Sequence, residues 1–220
     1  MSDKPTCRVA VFVDYQNVYE DLRRAFGPTA MLPTDGQFWP DVLAARLVAR
    51  GPDFEDWLLD ETRVYLGRAA PDRNPKGAAA HDRQTQAWRD RGIVVRPRPL
   101  QYLAGQPPRQ KGVDVELAVD VVRLAIEDRF DVGIVVSTDT DLLPALEAVD
   151  VIRGARRTPR TCAVSYSGLP KQLQFPDLRG RQPYVFRVTA ADYAAIHDPM
   201  VYVPRAPSVV PDGTSEMSGG

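Results

Sequence analysis

The sequence predicts an α/β fold: a doubly wound, mostly parallel sheet flanked by helices in a single domain. Three observations carry that expectation. Strand-like and helix-like stretches alternate over five repeats, as they do in chains of strand–helix–strand units. The strand-like stretches are apolar almost throughout instead of at every second residue, the mark of parallel strands buried on both faces. A chain of 220 residues, 44% of them hydrophobic, also fits one ordinary domain whose core needs no staple.

Each element has its own signal. Residues 7–15, CRVAVFVDY, form an apolar run that ends in an acid, and QNVYEDLRRAF then reads as a helix closed by Gly27. Residues 39–50, WPDVLAARLVAR, place apolar side chains at 42, 43, 47 and 48, a helical spacing. TRVYLGRA (62–69) is the second strand, AAHDRQTQAWRDRG (79–92) a helix, and IVVRPRPL (93–100) the third strand. VDVELAVDVVRLAIEDR (113–129) is a strong helix, DVGIVVST (131–138) the fourth strand, DLLPALEAVDVI (141–152) a helix and RTCAVSY (160–166) the fifth strand. A loop containing proline and glycine follows, then YVFRV (184–188) as a short edge strand and TAADYAAIHD (189–198) as a last helix capped by Thr189. The domain is expected to fill residues 1–202, and the stretch 203–220, poor in large apolar residues, to be a disordered tail.

Several classes of function drop out on composition. No apolar run approaches the roughly 20 residues of a membrane span, and the start MSDKPTCR lacks a signal-peptide core, so a cytoplasmic protein is expected. Cys7 and Cys162 are the only cysteines and have no metal-ligand spacing, so they read as reduced, buried thiols. The net charge of -1 conceals a local excess: from Val151 to Arg187 there are eight basic residues and one acid. Such a stretch can face phosphates. Arginines supply 24 of the 28 basic residues, which suits bidentate phosphate contacts, although a GC-rich genome gives the same bias.

The chemistry-bearing residues are acids at strand ends. Asp14 closes the first strand, and Asp139 and Asp141 follow the fourth, so parallel topology points all three at one crevice beyond the carboxyl ends. In the helix that starts near Val113, Leu117, Ala118, Val121, Val122 and Ala125 form an apolar stripe, while Glu116, Asp120, Arg123 and Glu127 share the opposite, wet face. Asp114 precedes Leu117 and Ala118 by three and four residues, so it projects toward the same crevice. Four converging carboxylates repel one another, and a bound hard cation relieves that. An all-oxygen donor set suits Mg²⁺ or Mn²⁺. For any one of these acids, a helix cap or a turn is an equally good account. Three chain segments delivering acids to one place is harder to explain by caps alone.

The segments VAVFVDYQNVY, KGVDVELAVDVVRLA and DVGIVVSTDTDLLPALEAV resemble the three signature stretches of the NYN domain family, PIN-like nuclease relatives that include bacterial LabA-like proteins. The resemblance runs from about Arg8 to the fifth strand and rests on D-x-x-N, K-G-x-D and S-x-D-x-D in that order. It implies a PIN-like fold and a metal-dependent ribonuclease, with Asp14, Asp114, Asp139 and Asp141 as catalytic and metal-binding residues and Asn17, Lys111 and Ser137 in support. Asp120 also matches a family acid, but the helical reading keeps it out of the site. The departures are Tyr15 and Gln16, where glycine is frequent, and Thr138 and Thr140, where smaller residues are usual; these are expected to narrow access.

A substrate strand needs a basic path to the acids. Arg68, Arg73 and Lys76, then Arg109 and Lys111, then Arg156, Arg157 and Arg160 are the candidates, with Tyr166, Phe175 and Tyr184 to stack on bases. Single-stranded or looped RNA is the expected substrate, since stacking aromatics read splayed bases. His81 and His197 lie outside the motifs and read as surface or helix-end residues. Two other classes compete: an RNA-binding or regulatory module with the same fold but no turnover, and a phosphotransferase using a strand-end aspartate as nucleophile. The second lacks an acid two residues after Asp14.

Overall fold

A computed structural model of the chain describes residues 4–28, 32–169 and 183–202. In chain order the elements are β1 (Thr6–Asp14), α1 (Tyr15–Phe26), α2 (Pro40–Val48), β2 (Asp56–Arg68), α3 (Pro75–Arg89), β3 (Val94–Pro99), α4 (Val113–Ile126), β4 (Val132–Val136), a 3₁₀ turn (Thr140–Leu142), α5 (Leu143–Arg153), β5 (Arg160–Tyr166), β6 (Tyr184–Val188) and α6 (Ala190–Ile196). The six strands make one sheet in the order β3-β2-β1-β4-β5-β6, with every neighbouring pair parallel. The order reverses between β1 and β4, and in such sheets that switch opens a crevice at the carboxyl ends.

The apolar runs of β1, β4 and β5 are buried on both faces, as expected, whereas β3 at the edge of the sheet is exposed from Arg96 to Pro99. Along β1, Val9, Val11 and Val13 enter one core with α1, α2, α3 and α6, while Ala10 and Phe12 enter the other with α4 and α5. Strand β2 begins six residues earlier than the sequence suggests: Asp56 pairs with Thr6, and a register shift at Val9/Ala10 keeps the two strands aligned. Helix α3 also starts earlier, because Asn74 caps it by accepting the Gly77 N–H and Pro75 occupies its first turn. Thr189 caps α6 in a reciprocal capping box with Asp192.

Helix α4 is rotated relative to the sequence reading. Its buried residues are Val113, Leu117, Asp120, Val121, Leu124 and Ala125, while Val115 and Val119 are exposed. Asp120 is therefore not on a wet face. It meets Arg63, Arg123 and the Tyr65 hydroxyl, at 3.0, 3.0 and 2.9 Å, and these partners hold its carboxyl below the usual range despite burial. Cys7 and Cys162 are buried free thiols. Among the described residues no helix is long and apolar enough to cross a membrane. The tail 203–220 and the stretch carrying Lys171, Phe175, Arg179 and Arg181 lie outside the described residues.

Candidate active site

The hydrogen bonds after β1 and β4 set the geometry of the crevice. Asp14 ends β1 and caps α1: its Oδ1 accepts the Asn17 N–H at 3.3 Å, and its Oδ2 accepts the Ser137 hydroxyl at 3.4 Å. Ser137 Oγ in turn accepts the Asp139 N–H at 3.1 Å, so one buried hydroxyl ties the two strand ends together. Asn17 Oδ1 accepts the Thr138 N–H at 2.8 Å, and the Thr138 hydroxyl donates to buried Asp21 at 2.6 Å. Asp21 was not singled out in the sequence, though it lies one helical turn beyond Asn17 and so shares its face.

One carboxylate oxygen each from Asp114, Asp139 and Asp141 lies within 4.8 Å of the others. These are three of the four acids expected to converge. Asp14 is outside that trio but lines the same cleft with Asp114 and Asp139, in a volume of about 290 Å³. Burial raises its pKa, the Asn17 N–H lowers it, the Asp139 charge raises it, and the result is about 6. Gln16, Glu20 and Gln110 also line the cleft, and their sequence signal is only adjacency to the motifs.

Capping accounts for part of this acid set. Asp139 caps the 3₁₀ turn by accepting the Asp141 N–H at 3.0 Å. Asp114 does no such work, since the cap of α4 is Gly112, a residue at φ 75° with no side chain to offer. Asp141 likewise leaves α5 without a side-chain cap. The motif glycine thus has a physical reason: the left-handed turn after Lys111 is open to glycine, and it delivers Asp114 into the first turn of α4. An all-oxygen trio at this spacing fits a hard divalent cation such as Mg²⁺ or Mn²⁺.

A family model for the NYN domain matches residues 8–158. The chain belongs to the NYN domain family. No curated protein matches it. A crystal structure of a protein of unknown function from Vibrio parahaemolyticus is similar in fold, with a TM-score of 0.52 at 20% identity over 86% of this chain and 96% of that one. The NYN family is one of PIN-like nuclease relatives, and the six-stranded parallel sheet agrees with that fold.

The departures from the NYN pattern do not all narrow the cleft. Tyr15 turns into the core, stacked on Phe38 with ring centroids 5.2 Å apart and its hydroxyl accepting from Gln84. Thr138 is buried in the Asn17–Asp21 network, and Thr140 is exposed. Only Gln16 among the four lines the cleft.

The basic candidates separate into two groups. Lys111 and Arg109 are exposed on the segment that leads into Asp114, and Arg73 and Lys76 are exposed beyond the carboxyl end of β2. Arg68 is held by Asp82 through two 2.8 Å bonds. Arg156 and Arg157 instead precede β5 and Arg160 opens it, at the amino ends of the strands and the opposite edge of the sheet from the acids. Arg157 and Arg160 there pair with Glu55. The expectation that this trio leads a strand into the crevice is therefore corrected, because a parallel sheet returns each helix to its amino edge. Tyr166 is fully buried and stacks on nothing from outside, whereas Tyr184 is half exposed but sits at the amino edge as well. His81 is half-buried within α3, and His197 closes α6; neither lines the cleft.

Proposed function

We propose that this NYN domain is a metal-dependent ribonuclease, with Mg²⁺ or Mn²⁺ held by Asp114, Asp139 and Asp141 beside Asp14. The observation that carries the reading is the trio itself: three carboxylates from two chain segments within 4.8 Å, two of them with no cap to make. A cation held there supplies an activated water and neutralises charge on the phosphodiester. The chain's own residues do the positioning. Ser137 fixes Asp14 against Asp139, and Asn17, held by the Thr138 N–H, keeps its amide at the cleft wall. Lys111 and Arg109 flank the entrance to Asp114 and suit the phosphates of a single-stranded or looped RNA.

The test is cleavage of a mixed RNA pool by the purified chain with and without Mn²⁺, with the new ends mapped. Metal-dependent ends that vanish in Asp141→Asn support the reading. A second reading, an RNA-binding or regulatory module without turnover, draws on the capping duties of Asp14 and Asp139, which give both acids a structural reason to be present. It forecasts equal RNA binding in EDTA and in Mn²⁺ and no new ends under either condition.

A further inference from the structure

At the opposite edge of the sheet lies a cavity of about 660 Å³, more than twice the acid cleft. Its size falls in the range of roughly 300–1,000 Å³ typical of small-molecule sites. Its chemistry is also the reverse of the cleft's. The walls bring together Phe54, Trp57 and Tyr184 with Arg153, Arg157 and Arg160, and two acids, Glu55 and Asp150. Glu55 is wholly buried at its side chain and organises the rest: it accepts the Trp57 indole N–H at 2.8 Å and pairs with Arg157 through one oxygen and Arg160 through the other. Burial acts to raise its pKa, but these donors outweigh it and bring it to about 2, so the carboxylate stays ionised and the guanidiniums stay anchored. Each guanidinium offers five N–H donors in a planar fork. The bonds to Glu55 engage one Nη2 group of each arginine.

The aromatic walls are unusually open. Phe54 and Tyr184 are 64% and 52% exposed, and the Arg157 and Arg160 guanidiniums sit 5.9 and 5.8 Å from the Phe54 and Trp57 ring centroids. Exposed rings beside anchored guanidiniums, over an apolar cavity floor, match one kind of ligand: a flat ring to stack and an anionic group to fork. We propose that this cavity is a second binding site, for a small planar aromatic anion of the nucleoside monophosphate type, with the ring between Phe54 and Tyr184 and the anionic group on Arg157 and Arg160. The site does not rest on the hydrolytic reading of the acid cleft, which lies at the other end of every strand.

Calorimetric titration of the full chain in EDTA tests it, with adenosine 5′-monophosphate, adenosine and inorganic phosphate as separate probes. The monophosphate should bind at one site per chain, and adenosine at least about tenfold more weakly once its charge-assisted bonds are gone. Phosphate alone, with no ring to stack, should give no measurable heat. Phe54→Ala removes an exposed ring, and Arg157→Ala leaves Glu55 its bonds to Arg160 and Trp57, so with a melt showing that both variants fold, each should weaken the monophosphate by about fivefold or more. Asp139→Asn, in the acid cleft, should leave the affinity as it was. The proposal is overturned if the monophosphate does not bind at millimolar concentration, if adenosine binds as well as its phosphate, or if Asp139→Asn abolishes binding while the double variant Phe54→Ala, Arg157→Ala retains it.

Discussion

Asp139 both caps a turn and faces the cleft, and substitutions separate the two roles. Asn caps about as well as Asp, so Asp139→Asn should leave the metal-free protein equally stable or slightly more stable, with one charge fewer in the cluster. Asp139→Ala also loses the bond to the Asp141 N–H and should cost about 1 kcal/mol in a denaturant melt. Asp114 has no cap bond to lose, so Asn and Ala should behave alike there in stability. All four variants should cut metal-dependent cleavage by orders of magnitude, and full cleavage by Asp139→Asn would reduce the paired acids to turn residues. Asp14 adds a pH signature. Its carboxyl is raised from 3.8 to about 6, so between those values the folded metal-free chain binds more protons than the unfolded one. Stability contributed at this residue is therefore highest at low pH and falls as pH rises from about 4 to about 6, the reverse of an ordinary salt-bridged acid. Melting the metal-free chain across that window should show the fall, and Asp14→Asn should flatten it. The acids themselves were legible in the sequence because strand ends and motif spacing are local. Asp21 was not, because its partner Thr138 comes from a segment 117 residues away.

Helix α4 shows where pattern reading stopped at the level of the element. Its residues offer two apolar stripes, and the sequence chose one that left Asp120 in water. What turns the helix is β2: Arg63 and Tyr65 present a guanidinium and a phenol to Asp120, and these partners satisfy the carboxylate where it is buried. No local rule reports a partner 55 residues away. Removing that carboxylate leaves Arg63, itself mostly buried, without its cross-element partner, so Asp120→Ala should destabilise the fold by about 3 kcal/mol. Cleavage per folded molecule should stay near that of the unaltered chain at a temperature where both are folded, which distinguishes a residue pinning α4 from one in the site. The start of the same helix makes a complementary case. Gly112→Ala forces a methyl-bearing residue to φ 75°, at a cost of about 1–2 kcal/mol. Relief of that strain shifts the first turn that carries Asp114, so the rise in melting temperature given by Mn²⁺ should shrink along with the stability.

Over the whole molecule, alternation of strands and helices was enough to foresee a parallel sheet, and the apolar runs of β1, β4 and β5 are buried on both faces. It was not enough to place the arginines. The stretch after α5 carries the densest positive charge in the sequence, and charge alone draws it toward a phosphate path. Parallel topology decides otherwise: a helix that begins at the carboxyl edge beside Asp141 must end at the amino edge, where Arg153 closes it and Arg160 begins the next strand. That geometry sets the last prediction, on RNA binding. If a strand reaches the acids past Arg109 and Lys111, replacing both by Ala removes two phosphate contacts, and the slope of log affinity against log salt should fall by about 1.4, at about 0.7 for each single-strand contact. Replacing Arg156, Arg157 and Arg160 together should leave that slope unchanged, though it will lower stability, because Glu55 is then buried without its guanidiniums. Binding to a single-stranded RNA at several salt concentrations, in the presence of Ca²⁺ in place of Mn²⁺ to hold cleavage back, measures both slopes on intact substrate. A slope that falls only in the triple variant would mean that the strand runs along the amino edge of the sheet, and would take the acid cleft out of its path.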